Sequence, residues 1–452
     1  MCFIFHKKIF KSKFSFLLCS VCVYNIDVQC KQKTEENMNK IVIKDYIKEL
    51  ALEAEDNLKE QFKAADDVCL FNSEKVLNAF LKHELSYSDF AEINGYAFFD
   101  DSRDKLEAIF ADALGSEAAL VRPQIMSGTN AIWITLSALL KSGDTMLCVC
   151  GAPYDPLQEI MGSRGNSPLS LKASGVNYEE IELIDNDFDY ETIEKRLKKG
   201  GVKLVEIQRS CGYSIRRGIT LSQIEKLSKL VKSIDSGIII MCDNCYGEMV
   251  ERREPPEAGV DIIAGSLMHN LGGGIASSGG YIAGRLDLVE LCSQRLTAPG
   301  IGKYLGADYN QKNKFLKGLY MAPQTVKNAV KSAMLAAYIA EKAGFTGVSP
   351  GSREYRSDTV QCFNLGSKER LIKFCEALQA VSPVDSIYTP VPCEMPGYPH
   401  DEIMSAGCFS QGSTIELTCD APVTEPFRVF LQGGLAYEHS KLCLMAAFSR
   451  IL

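Results

Sequence analysis

The 452-residue sequence has no block of Lys and Arg in its folded part, and its formal net charge is −8. Holding a nucleic-acid backbone needs a basic footprint, so nucleic acid is not an expected partner. The apolar run of the N-terminal leader is too short to cross a bilayer and no run elsewhere is long enough, so no membrane span is expected. The two C-x-x-C pairs, Cys19/Cys22 and Cys242/Cys245, each lack a second pair at finger-like spacing. A zinc site needs four ligands, so no metal is expected. There is no internal repeat. The seventeen cysteines are scattered, several inside apolar runs such as Cys148 and Cys150 in MLCVC. That is the pattern of buried free thiols in a reducing compartment, here taken as the cytoplasm, and not of a disulfide framework. A redox role for Cys242/Cys245 is the alternative to a buried pair.

What is present is an ordinary globular composition, 46% hydrophobic and 23% charged. Such a chain can bury a core, and its length allows a large α/β domain with a smaller second one. Residues 1–37 differ. Lys7, Lys8, Lys11 and Lys13 precede an apolar stretch from Phe14 to Tyr24. This has the outline of a secretory signal but no clear small-residue cleavage site. Met38 opens a sequence that reads like a natural start, so 1–37 are taken as an over-extended start or a leader.

Residues 46–64 show helical spacing of Ile47, Leu50, Ala51, Ala54, Leu58 and Phe62. Further helices are predicted at 73–82 and at 103–114, the latter stopping at Gly115. Together these form an N-terminal helical segment over 38–119. From about 120 strands alternate with helices. Strands are predicted at 146–150, 203–208, 238–242, 261–265 and 280–283, and helices at 130–141, 156–162, 190–199 and 221–234. Short apolar strands separated by helices mean a parallel sheet covered on both faces. This large domain is placed at 120–330. A long helix at 325–343 leads to a smaller α+β domain, 331–452. Helices at 368–381 and 435–449 and strands near 359–365 and 413–419 belong to it. Pro390, Pro392, Pro396 and Pro399 crowd one of its loops.

Three segments carry chemistry. Ser127-Gly128-Thr129-Asn130 directly precedes a helix. A helix N-terminus offers free N–H groups and a positive dipole end to an anion, although Ser and Thr also cap many helices that bind nothing. Asp243 follows a buried strand, where open α/β sheets bind ligands. A carboxylate there can keep a pyridine nitrogen protonated, or simply cap a turn. His269 follows the next strand, between Ser266 and the run Gly272-Gly273-Gly274. The glycines permit close backbone approach or turns with positive φ. Each signal is weak alone. Their order along one βα series places all three at the same sheet edge.

The stretches NGYAFFDDSRDKLE, VRPQIMSGTNAI, GAPYDPLQEIMG, VEIQRSCGYSIRRG, CDNCYGEMVE, AGSLMHNLGGGIASSGGYIAGR, RLTAPGIG, SPVDS and LQGGLAYEH resemble fold-type-I pyridoxal-phosphate enzymes. More closely, the chain resembles the methionine γ-lyase-like group of aluminium-resistance, cystathionine β-lyase-like proteins, from about residue 40 to 450. The resemblance implies a mostly parallel seven-stranded sheet in the large domain. It implies that Ser127, Gly128, Thr129 and Ser266 bind the phosphate of pyridoxal 5'-phosphate, and that Asp243 pairs with its ring nitrogen. Tyr154 would lie near the ring or move a proton, unless it is only a packed sheet-edge tyrosine. Tyr96 and Arg103 would reach a neighbouring subunit's phosphate site, which implies a homodimer or homotetramer. For Arg103 a surface salt bridge at the helix start is the alternative. Arg356 would receive the carboxylate of a small amino-acid substrate.

The sequence leaves the family pattern where that pattern puts a lysine, at His269. That lysine bonds the cofactor's aldehyde carbon and shuttles the substrate's α-proton. Imidazole has no primary amine, yet it can act as a base near neutral pH. Asn130 stands for an expected histidine, Cys211 for an arginine and Phe98 for a tyrosine. The expectation is a carbon–sulfur lyase of sulfur amino acids whose activity is lost or weakened. The alternatives are His269 as a working base beside noncovalent cofactor, Lys303 as a substitute lysine, and a non-catalytic protein that binds cofactor or a partner.

Overall fold

The computed structural model describes residues 41–96, 100–395 and 397–452. The leader, Cys19/Cys22, Phe98 and Pro396 lie outside the described residues. Among these residues no helix is long and apolar enough to cross a membrane.

Helices α1 (Asp45–Asn57) and α2 (Lys59–Lys82) replace the helices predicted at 46–64 and 73–82. The chain turns at Leu58, which is fully buried, so the apolar stripes of both helices stay on the protein. After α3 (Asp101–Ala113) the alternating region begins. It contains β1 (Ala118–Arg122), α4 (Gly128–Leu139), β2 (Thr145–Cys148), α5 (Asp155–Met161) and β3 (Asn177–Glu180). A small hairpin of β4 (Leu183–Ile184) and β5 (Asp187–Phe188) leads into α6 (Tyr190–Leu197). Next come β6 (Val202–Gln208), α7 (Leu221–Ile234), β7 (Ile239–Asp243), β8 (Ile262–Ser266), β9 (Gly280–Gly284) and α8 (Leu286–Leu296).

Seven of these strands form one sheet in the order β1-β9-β8-β7-β6-β2-β3. Only β9 runs against its neighbours, so the other six point the same way and end at one edge. The predicted mostly parallel α/β sheet is therefore observed. Two of its strands were not predicted from the sequence. β3 (NYEE) is a half-exposed edge strand, and β1 is short and lies beside the antiparallel β9.

Helix α9 (Lys312–Lys342) begins well before the predicted 325 and runs through Pro323. Proline lacks an N–H and usually ends a helix. Here residues buried on both sides of it, Phe315 and Leu319 before, Val326 and Ala329 after, keep the helix continuous on the core. The second sheet follows, with β10 (Thr346–Ser349), β11 (Gln361–Asn364), α10 (Lys368–Ala380), β12 (Cys393–Glu394), β13 (Asp401–Ser405), β14 (Thr418–Pro422) and β15 (Arg428–Gln432), then α11 (Tyr437–Ile451). It is antiparallel throughout, in the order β10-β11-β15-β14-β13-β12. The strand predicted near 413–419 is displaced to 418–422, because 413 and 414 turn back to meet the large sheet.

Candidate active site

A cavity of about 450 Å³ is walled by the carboxyl edge of the large sheet and one face of the small one. That is within the roughly 300–1,000 Å³ usual for small-ligand sites. Ser127, Gly128, Thr129, Tyr154, Asp243, Ser266 and His269 all line it.

The anion end is built at the start of α4. Ser127 is the N-cap, and its Oγ accepts the Asn130 N–H at 3.1 Å. Asn130 accepts the Met126 N–H through Oδ1 at 3.1 Å, so its side chain closes the turn outside the cavity wall. A Cβ on Gly128 would stand 3.0 Å from Cys245 Sγ and 3.2 Å from Ser266 Cβ. Glycine thus lets the helix start press against the ends of β7 and β8. The Thr129 hydroxyl shares a 2.6 Å hydrogen bond with that of Tyr154. The Tyr154 backbone N–H donates to Gln208 Oε1 at 2.9 Å. This fixes the tyrosine between two strand ends.

Asp243, the last residue of β7, is 5% exposed and accepts the Cys245 N–H at 3.1 Å. Burial pushes its carboxyl up to about 6, opposed by that N–H and by Arg216. A carboxyl raised in the fold protects its proton, so its stabilising effect is present at low pH and is lost as pH rises through 6. Asp243→Asn should remove this dependence. Between about pH 4 and pH 7.5 the variant is expected to gain on the native protein by roughly 2–3 kcal/mol. Urea midpoints at the two pH values check it, and an unchanged difference would contradict the buried charge.

Beyond β8 the chain folds tightly back. A Cβ on Gly272 would lie 1.7 Å from Leu267 O, and Gly273 and Gly274 have φ of +55° and +70°. The glycine run therefore does provide the close approach predicted from sequence. It presents half-buried His269 to the cavity. Nδ1 is hydrogen-bonded to the Thr414 hydroxyl, and the ring lies 4.3 Å from that of Tyr246, tilted by 34°. Burial lowers the imidazole to about 4, so it is neutral at neutral pH.

The remaining sequence-predicted residues stand elsewhere. Tyr96 is 77% exposed and does not line the cavity of its own chain. Arg103 is not on the surface. It is buried, with Nη1 donating to Tyr304 O at 3.2 Å, because α3 turns that face inward. Arg356 is buried and donates through Nη2 to Gln361, with Nε and Nη1 unpartnered, and is not among the residues lining the cavity. Lys303 and Cys211 lie outside the wall too. Cys242 and Cys245 are buried free thiols, both held far above the ordinary range by burial, which disfavours the thiolate that exchange needs. Among the described residues no cluster of three His, Cys, Asp or Glu could hold a metal ion.

Sequence reasoning missed Gln208, Tyr246, Thr414, Thr418, Asp420 and Gln432, all in the wall, and had named Cys245 there only as one of a possible redox pair. Gln208 could have been found as the last residue of a buried strand. The small-sheet residues carry no local signal.

A hydroxyl-rich helix start, a buried carboxylate across the same strand edge and a tyrosine between them fit the phosphate, ring nitrogen and ring of pyridoxal phosphate. No lysine is present among the described lining residues, so nothing there supplies an amine. Fold and site together define a protein of the fold-type-I pyridoxal-phosphate class. Residues 47–452 match the family described as methionine gamma-lyase, and the chain belongs to that family. It is 40% identical over 408 residues to the uncharacterised protein YnbB of Bacillus subtilis (strain 168), spanning 90% of this chain and 96% of that one. The crystal structure of a carbon–sulfur lyase involved in aluminium resistance from Clostridium novyi NT is similar, with TM-score 0.88 and 42% identity over 93% of this chain and 99% of that one. The pyridoxal-5'-phosphate-dependent protein YhfS from Escherichia coli shares the fold, with TM-score 0.57 and 16% identity over 84% and 95%.

Proposed function

We propose that this protein binds pyridoxal phosphate without a covalent anchor, as a carbon–sulfur lyase-like protein whose lyase activity is lost or weakened. The observation that carries the reading is His269 inside a cavity otherwise suited to the cofactor, with no lysine among its described lining residues. The α4 N-terminus, with Ser127, Thr129 and Ser266, would hold the phosphate by N–H and hydroxyl donors. Asp243 would hold a proton on the ring nitrogen, and this pairing would pull its own pKa back down. When bound, the cofactor supplies an electron-withdrawing ring that stabilises negative charge beside a substrate's α-carbon. Tyr154, fixed by Thr129 and Gln208, would pack against the ring.

A second reading rests on the placement of His269. Its Nδ1 is hydrogen-bonded to Thr414, and in the tautomer that donates there Nε2 is the nitrogen that would accept a proton from a substrate carbon; burial keeps the ring neutral and lowers its basicity. Self-association into a homodimer or homotetramer belongs to the same proposal. Exposed Tyr96 is available to a neighbouring copy, whereas Arg103 is engaged within its own chain.

Titration of the purified protein with pyridoxal phosphate should give a saturable absorbance change. Borohydride should leave no adduct on any lysine, and an adduct would sink the anchor-free reading. Pyruvate or 2-oxobutyrate released from cystathionine by the unreduced complex would select the histidine-base reading over loss of activity.

A further inference from the structure

The wall opposite His269 is one face of the small sheet, and its chemistry is one-sided. Thr418 pairs with Gln432 across β14 and β15, and Asp420 pairs with Met404 across β13 and β14. Side chains two apart on a strand, and those directly opposite on its partner, share a face. All four accordingly line the cavity. Gln432 donates through Nε2 to Asp420 Oδ2 at 2.8 Å. That bond fixes the amide, so Oε1 faces away from Asp420 as an acceptor. Gln432 Oε1 and Thr418 Oγ1 have no hydrogen-bond partner, although the two residues are only 4% and 3% exposed. Buried polar atoms are nearly always satisfied, so two orphans on one cavity face mark a place where a ligand group belongs. Beside them lie Asp420 and the rings of Tyr213 and Tyr398, 5.5 Å apart. Neither lysine nor arginine occurs among the described lining residues.

Asp420 also accepts from the Tyr213 hydroxyl, and its carboxyl, the Gln432 amide oxygen and the Thr418 hydroxyl together make an acceptor-rich receptor for a donor-rich cation. The same surface repels a carboxylate. We propose that this face binds an ammonium group at the far end of the substrate's side chain, so that the preferred ligands are amino acids with an amine beyond the sulfur. The inference rests on the reading of the cavity as an amino-acid site, in which the α-amine lies at the cofactor.

The test compares three ligands on the protein loaded with pyridoxal phosphate, by calorimetric titration. They are S-(2-aminoethyl)-L-cysteine, its near-isostere S-propyl-L-cysteine, and S-carboxymethyl-L-cysteine. The aminoethyl compound is expected to bind at least about tenfold more tightly than the propyl one, as for a desolvated charged hydrogen bond. The carboxymethyl compound should be the weakest. In Asp420→Asn the ratio of the first two should fall to within about twofold. Thr418→Val, which keeps the side chain's shape, should lower the ratio as well and serves if the first variant folds poorly. Equal or tighter binding of the propyl or carboxymethyl compound overturns this inference and leaves the amino-acid reading standing. Failure of all three to bind overturns both.

Discussion

His269→Lys is expected to give a protein that carries pyridoxal phosphate covalently. After borohydride reduction, mass spectrometry should place the adduct on residue 269, whereas the native protein should carry none. The expectation follows from position. Residue 269 leaves β8 into the cavity that also holds Asp243 and the α4 N-terminus. Lysine differs from imidazole in having a primary amine on a long flexible stem. The substitution gives up the Thr414 bond and the contact with Tyr246. Both partners sit at the cavity wall, where water or the cofactor can replace the lost contact. A positioned proton-transfer group contributes about 10²–10⁴ in rate, so carbon–sulfur cleavage should rise by that order if the rest of the pocket is intact. A lysine variant whose cofactor washes off would mean that the ring or phosphate end has diverged as well.

Arg209→Met should be among the most destabilising changes in the chain. Arg209 is fully buried at the end of β6 and donates to Glu251 at 2.8 Å and Asn244 at 2.7 Å, with Glu254 at 3.6 Å. Gly247 makes room for it, since a Cβ there would lie 2.6 Å from its Cδ. Breaking a buried ion pair from one side strands charge in low dielectric and costs about 3–5 kcal/mol. Here two carboxylates would be stranded, in the segment that directly follows Asp243. The expected result is a lower urea midpoint and weaker binding of pyridoxal phosphate. Adding Glu251→Gln and Glu254→Gln should recover part of the stability, because the stranded charge is then gone. No recovery would show that packing of the Arg209 stem, and not its charge, sets the loss.

Much of the large sheet was legible because its strands are short, apolar and separated by helices of ordinary length. The helix at 221–234 was predicted to the residue, where Thr220 and Gln223 form a capping box. Legibility failed where an element does not bury a continuous stripe, as with β3 at the edge, or where a local breaker is overruled by packing, as with Pro323 in α9. Among site residues, those at the ends of parallel strands and at the α4 start were readable, since both places have fixed chemistry. The burial of Arg103 and Arg356 was not readable, because a guanidinium can turn toward solvent, a neighbour or a buried acceptor from the same backbone position.

The sequence by itself placed most strands and helices of the large domain, put Ser127 at a helix start and Asp243 and His269 after successive strands, and fixed the lack of an amine at 269. Each of these follows from rules that act over a few residues. Only the tertiary structure decided which groups face them. The Thr414 that holds His269 lies 145 residues further along the chain. The acceptor face of Thr418, Asp420 and Gln432 exists only because two antiparallel strands pair in one register and pack across the cavity. Such contacts depend on how distant segments pack together, and no local pattern of side chains encodes them.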